Sequence, residues 1–290
     1  MDPTVSKLLD TLDLERIEEN LYRGLSADPG WQRVFGGQVI AQALVAAQRT
    51  VPPERTCHSL HGYFILPGDP SAPIVYQVAR LRDGGSFTTR RVEAIQHGRA
   101  IFTLAASFQV AEDGLSHQST MPEVPGPNET GLGGEGAKAL LAGAPEPVRR
   151  YWERPRPIEI RPVSLDHYLS DAKLAPEQRV WMRAVADIGD DPALNQAVLA
   201  YLSDMTLLDT SLFAHGLSVF DRRIQAASLD HAMWFHEPVK VSDWMLYAQD
   251  SPFSGRGRGL TRGSIFTGDG RLVASVAQEG LIRLKDRQVT

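Results

Sequence analysis

Cysteine is nearly absent: the 290 residues contain one, Cys57. This excludes an intrachain disulfide framework, a Cys-x-x-Cys redox pair and a cysteine-built zinc site, and it suits a reducing compartment. A lone Cys is ordinarily a small buried hydrophobe, and Cys57 is read that way. Long apolar runs are missing too. No stretch approaches the roughly 20 residues that a bilayer crossing needs. Met1-Asp2-Pro3 lacks the basic start and apolar core of a secretory signal, and Arg287-Gln288-Val289-Thr290 is neither a peroxisomal nor an ER-retention address. A cytoplasmic protein is the expectation by elimination. There is no excess of positive charge either. Thirty Lys and Arg against 35 Asp and Glu leave a net charge of -5, so neither nucleic acid nor an anionic membrane is an expected partner. A polyanionic ligand would need a local basic patch.

The familiar chemical motifs are also missing. There is no Gly-x-Ser-x-Gly nucleophile elbow and no Gly-Lys-Ser/Thr phosphate loop. None of the eight histidines forms a His-Glu-x-x-His pair. His231 and His236 lie five residues apart on a candidate strand, hence on opposite faces, which argues against a shared metal. Gly131-x-Gly133-x-x-Gly136 matches a dinucleotide pattern, but it sits in a Pro-rich stretch with no strand before it and is dismissed. No cofactor and no metal are expected. Gly255-Arg256-Gly257-Arg258-Gly259 reads first as a solvated basic loop, although a phosphate could use it.

What is present is an ordinary globular balance, 42% hydrophobic and 22% charged, in a chain long enough for two cores. Proline and glycine crowd residues Met121 to Pro157 so densely that no central strand or long helix fits there. One short helix near Ala137 to Leu141 is the exception expected. The division that follows is a first domain over 1–118, a linker over 119–157 and a second domain over 158–290.

The two domains repeat one order of elements. In the first, a small helix spans about Val5 to Leu12. A second runs from about Gly37 to Thr50, with Val39, Ile40, Ala43, Leu44 and Ala47 on one face. Strands follow at Leu60–Leu66, Ile74–Leu81 and Ser86–Gln96, and a last one places Phe102, Leu104, Ala106, Phe108 and Val110 on one side. In the second domain, Asp191 caps a helix with Pro192 at its first position and an apolar stripe of Leu194, Ala197, Val198, Tyr201, Leu202 and Met205. Strands are expected over Ser228–Phe235, Trp244–Gln249, Gly259–Thr267 and Leu272–Leu284. The last hairpin turns, His97-Gly98-Arg99 and Asp269-Gly270-Arg271, are 269 − 97 = 172 residues apart, and Arg90 and Arg262 keep that offset. A helix followed by an antiparallel sheet, written twice, is an α+β arrangement.

Three polar residues interrupt apolar patterns. Asp204 lies on or beside the stripe of the second domain's helix, where a carboxylate is costly unless paired. Gln278 shares a strand face with Leu272, Ala274, Val276, Gly280, Ile282 and Leu284, opposite Ser275, Glu279 and Arg283. Ser228 opens its strand and by alternation shares a face with Asp230, Ala232 and Trp234. The ordinary readings are a stripe edge for Asp204, a structural hydrogen bond for Gln278 and a turn residue for Ser228.

At this level of detail the chain resembles the type II acyl-CoA thioesterases, whose bacterial and peroxisomal members share a double-hotdog fold. The likeness runs nearly end to end. It includes Arg33-Val34-Phe35-Gly36-Gly37-Gln38, Phe64-Ile65-Leu66-Pro67-Gly68-Asp69 and Ser86-Phe87-Thr88-Thr89-Arg90-Arg91-Val92 in the first half. In the second it includes Tyr201-Leu202-Ser203-Asp204, Ser228-Leu229-Asp230-His231-Ala232-Met233-Trp234-Phe235-His236 and Gln278-Glu279-Gly280. The resemblance implies two tandem antiparallel sheets, each wrapped around a helix. It also implies a catalytic set of Asp204, Ser228 and Gln278 around an attacking water, with Asp230 in support at most. The implied activity is hydrolysis of fatty acyl-CoA, and the implied partner is the acyl-CoA substrate, with further self-association left open. Two other readings are weighed against this. A hotdog enoyl-CoA hydratase would need a catalytic His on a hotdog helix, and neither candidate helix contains one. An inactive acyl-CoA-binding or regulatory protein has no reason to retain all three water-site residues. Applying the 172-residue offset maps Gln278 to Ala106 and Ser228 to Thr56, and the first helix has no carboxylate to match Asp204, so one site per chain is expected.

Overall fold

Asp2 opens the described chain as a helix cap. Its carboxylate accepts from the Thr4 and Val5 N–H groups, and Pro3 takes the first helical position of α1, Pro3–Leu12. The computed structural model describes residues 2–26, 32–130 and 142–285. After α1 come the short strands β1 (Glu15–Glu18) and β2 (Leu21–Gly24), helix α2 (Gly36–Gln48), and the strands β3 (Arg55–Phe64), β4 (Ile74–Asp83), β5 (Phe87–Gln96) and β6 (Arg99–Val110). Every residue of α2 from Gly37 to Ala47 is buried. Its alanines at 41, 43, 46 and 47 let the sheet curl closely around it, and α2 packs against β2 through β6. Burying Ile40 and Leu44 completely stabilises the fold by roughly 1.5–3 kcal/mol per side chain.

The second half contributes α3 (Glu146–Glu153), β7 (Ile158–Pro162), α4 (Asp166–Leu169), β8 (Glu177–Ala184), α5 (Pro192–Ser203), α6 (Thr210–Phe213), β9 (Ile224–Ser228), β10 (Asp230–Phe235), β11 (Met245–Gly255), β12 (Arg258–Thr267) and β13 (Leu272–Leu284). Helix α3 lies inside the Pro-rich stretch. Pro147 stands in its first turn, where a missing N–H costs nothing, so the proline density that argued against a long helix leaves room for this short one. The helix expected near Ala137 to Leu141 and the Gly131–Gly136 motif lie outside the described residues. Strands β1, β2, β7 and β8 had no clear sequence signal.

The chain is an α+β double hotdog, with one departure from the expected pair of sheets. The strands form one antiparallel sheet in the order β1-β2-β4-β5-β6-β3-β10-β13-β12-β11-β8-β7, and β9 pairs β13 off that path. The two halves meet at β3 and β10, joined in register from Asp230↔Tyr63 to Trp234↔Ser59. Helices α2 and α5 pack on each other across the same seam.

Register corrects two sequence-based equivalences. The last hairpin of each half carries a bulge, between Ala94 and Ile95 in one and between Ile265 and Phe266 in the other. Superposing the bulges gives 274 − 102 = 172 along the last strand but 265 − 94 = 171 along the strand before it. Arg90 therefore corresponds to Thr261, not to Arg262. Burial agrees: Arg90 and Thr261 are buried, whereas Arg262 is exposed and pairs with Asp250. Likewise Cys57 pairs Phe108 as Ser228 pairs Gly280, so Ser228 corresponds to Cys57 rather than Thr56. Gln278 does correspond to Ala106. Cys57 is buried, as read from the sequence, and burial pushes its thiol well above the ordinary value.

Candidate active site

The three singled-out residues meet. Gln278 stands on the inner face of β13 with its side chain 1% exposed. Its amide nitrogen donates to Asp204 Oδ1 at 2.7 Å and to Ser228 Oγ at 2.7 Å. Two acceptors on one side of the amide place the nitrogen there, and Oε1 is left buried without a partner. The Ser228 hydroxyl also hydrogen-bonds to Asp204, which closes a triangle.

Local folding explains how each residue arrives. Asp204 is not inside α5 but caps its C-terminus, with αR backbone angles. The apolar stripe therefore ends one turn earlier than expected, and the carboxylate projects from the helix end. Ser228 arrives through a break in its strand. The expected continuous run Ser228–Phe235 is interrupted at Leu229 between β9 and β10. Ser228 pairs Gly280, whereas Ala232 pairs Ala277. The extra residue turns Ser228 onto the inner face beside Gln278 and leaves Asp230, Ala232 and Trp234 on the outer face. Strict alternation put Ser228 on the wrong side for this reason. Asp230 serves the backbone instead, accepting from the Glu279 N–H at 2.6 Å.

The first half also reaches this cluster, through the backbone at the helix start Gly36-Gly37-Gln38. Helix α2 starts at Gly36 after Phe35, which provides no side-chain cap. The Gly37 N–H donates to Asp204 instead, so a carboxylate from α5 caps a helix in the other half. The approach is close. A Cβ on Gly36 would lie 2.7 Å from Asp204 Oδ2, and one on Gly37 would lie 2.3 Å from the Tyr201 carbonyl oxygen. Phe35 packs edge-on against Tyr201 at 5.1 Å. The signal for this contact is the Gly36-Gly37 pair at a helix start that has no capping side chain.

Burial raises the Asp204 carboxyl to about 6, offset in part by its bonds to Gln278, Gly37 and Ser228. Perturbation alone does not mark the site. Burial raises Asp209 further, to about 7, but its partner is the Tyr168 hydroxyl at 2.6 Å in an aromatic nest that includes Trp152 and Phe220. His231 is buried and held neutral, its pKa lowered to about 3 by desolvation. The glycine- and arginine-containing run at 255–259 is the turn between β11 and β12, where Arg258 pairs with Glu279 at 2.9 Å.

A large antiparallel sheet curled round two buried helices, with a carboxylate, an amide and a hydroxyl gathered at one helix junction, defines a double hotdog with a buried polar cluster between its halves. Comparison with known proteins identifies the particular family. The acyl-CoA thioesterase model matches residues 149–281, and the model of the acyl-CoA thioesterase N-terminal domain matches residues 27–109. The chain is 39% identical to acyl-CoA thioesterase 2 of Haemophilus influenzae over 99% of this chain and 100% of that one. It is 41% identical to acyl-coenzyme A thioesterase 8 of Homo sapiens over 94% and 88%. The crystal structure of an acyl-CoA thioesterase II from Mycobacterium marinum matches with a TM-score of 0.79 and 45% identity, over 96% of this chain and 99% of that one. The chain belongs to the acyl-CoA thioesterase family and is a hydrolase of acyl-CoA thioesters.

Proposed function

We propose that Asp204, Ser228 and Gln278 activate a water that hydrolyses fatty acyl-CoA to free fatty acid and coenzyme A, with no acyl-enzyme intermediate. The observation that carries this reading is the Gln278 amide, which holds the Asp204 carboxylate and the Ser228 hydroxyl together. A water admitted to this triangle would donate a hydrogen bond to the carboxylate. Asp204 takes the proton as the water oxygen attacks the thioester carbonyl carbon. The C–S bond then breaks, and the thiolate of coenzyme A leaves and is protonated. With its carboxyl raised to about 6, Asp204 is ionised at neutral pH yet more basic than an ordinary aspartate. The Gly37 N–H is engaged by Asp204 and that of Gln38 by the Phe35 carbonyl, so the Gly36 N–H is the donor we assign to the developing oxyanion.

In this reading residues 1–118 and 158–290 are two hotdog domains joined by 119–157, and only the second carries the residues that activate water. Support comes from the counterparts of Ser228 and Gln278, which are Cys57 and Ala106. The cytoplasm remains the proposed location, supported by the single buried thiol. No described helix is long and apolar enough to cross a membrane.

The test is thiol release from acyl-CoAs of rising chain length, by the wild-type protein and by Asp204→Asn, with a quench-flow search for a burst. Hydrolysis without a burst, lost in the variant, supports the reading. A stoichiometric burst of thiol would overturn the direct attack of water.

A further inference from the structure

Asp204 sits where a helix normally frays, at the end of α5, yet a general base must hold its place to well under an ångström. The chain on either side of it is pinned. Upstream, the Tyr247 hydroxyl donates to the Ser203 carbonyl at 2.8 Å. The Ser203 hydroxyl donates to Ala200 O at 2.8 Å and accepts from His231 Nε2 at 2.9 Å. Downstream the pin is of another kind. Thr206 has φ +62°, the left-handed region that glycine occupies freely and that a β-branched residue avoids. A turn alone would be better served by glycine. What threonine adds is a hydroxyl, and two buried amides grip this residue. Gln178 on β8 and Gln249 on β11 are directly paired in the sheet. Gln178 Nε2 donates to the Thr206 carbonyl at 2.9 Å and to Gln249 Oε1 at 2.7 Å, and Gln249 Nε2 donates to Thr206 Oγ1 at 2.9 Å. All three residues are buried, and none is in the Asp204–Ser228–Gln278 triangle.

We propose that Gln178 and Gln249 are positioning residues that hold Thr206 in its strained conformation and thereby fix the Asp204 carboxylate against Gln278 and the start of α2. Strain of this kind persists only where surrounding contacts over-determine it, and it gathers at functional sites. Here it lies two residues from the proposed base. The inference rests on Asp204 being that base.

The test compares Thr206→Val, Thr206→Ser, Thr206→Gly and Gln178→Met in the full chain. Valine keeps the branched shape and loses the hydroxyl; serine keeps the hydroxyl. For Thr206→Val and Gln178→Met, kcat should fall about 10-fold or more with KM within about twofold. The acid limb of kcat/KM should move roughly half a pH unit or more toward the ordinary carboxylate range as Asp204 becomes better hydrated. That limb reports Asp204. The titratable groups that sense it are Tyr201 on its own helix and Tyr247 on β11, both raised by burial, while β9, β13 and α2 present Ser228, Gln278 and a backbone N–H. Thr206→Ser should restore both readouts. Thr206→Gly accepts the backbone angle without strain and keeps the fold, so it reports the missing hydroxyl even where the valine variant does not fold. If folded Thr206→Gly and Gln178→Met kept wild-type kcat and pH profile and changed only in melting temperature, the proposal would be overturned. An active Asp204→Asn would instead sink the base assignment itself, so the two failures are distinguishable.

Discussion

Gly37 and Asp204 belong to opposite halves of the chain and share a hydrogen bond, the N–H of one helix start meeting the carboxylate at another helix end. The second half supplies a carboxylate, a hydroxyl and an amide to this cluster, and the first supplies the positive end of α2.

Asp204→Asn is expected to lower kcat on the order of 10²-fold or more while the fold persists. The same variant should be more stable. A carboxyl raised by burial makes the folded state bind a proton more tightly than the unfolded one, so stability falls as pH rises from the ordinary carboxylate value to about 6. Removing the charge should recover about 3 kcal/mol at pH 7 and nothing below pH ~4. Urea melts of both proteins at the two pH values check this. Equal stability at pH 7 would mean that Asp204 bears no burial cost.

The wild-type pH profile should show the same group. Turnover of free enzyme and substrate should fall on the acid side of about pH 6 with a single-proton slope. An acid limb near pH 4 would place the base in water.

How much of this was readable in advance depends on the kind of contact involved. Gln278 was legible because a strand's period of two exposes any polar intruder among Leu272, Ala274 and Val276. Ser228 stood out by pattern as a polar residue opening a strand, but only the family resemblance gave it a role. Alternation put it on the face of Asp230 because one inserted residue, Leu229, is invisible to a periodic rule. The two tandem helix-and-sheet units were legible from their repeated order, but the seam between β3 and β10 was not, since edge pairing leaves no local trace. Short strands such as β1, with all four residues exposed, have no burial pattern to detect.

Gln278→Ala should reduce turnover by a factor similar to that of Asp204→Asn and change KM much less, because the amide holds the base and the Ser228 hydroxyl. A variant with raised KM and normal kcat would recast Gln278 as a binding residue.

A non-hydrolysable acyl-CoA analogue titrated onto Asp204→Asn should saturate at one molecule per chain. The first-half positions equivalent to Ser228 and Gln278 are Cys57 and Ala106, which can neither deprotonate nor cradle a water. Two equal sites by calorimetry would refute the one-site reading.

Arg90 tests the degenerate half. Its buried guanidinium bonds Thr50 Oγ1 at 2.8 Å and Asp83 at 2.5 Å, beyond the end of α2. Arg90→Met should cost about 1–3 kcal/mol by taking a buried donor from Thr50 and removing the buried end of an ion pair whose other end, Asp83, is exposed, with kcat per folded molecule unchanged. A selective loss of kcat at full stability would show that the first half's interior takes part in turnover.

The seam between the halves has a consequence for synthesis. Tyr63 and its partner Asp230 are 230 − 63 = 167 residues apart, so at about 5–20 residues per second the ribosome needs roughly 10–30 s to supply the strand that covers β3. During that interval the nascent first half presents an unpaired strand edge to every neighbouring chain. Synonymous codons that slow translation between these positions should therefore increase aggregation of newly made protein, although the mature molecule is identical.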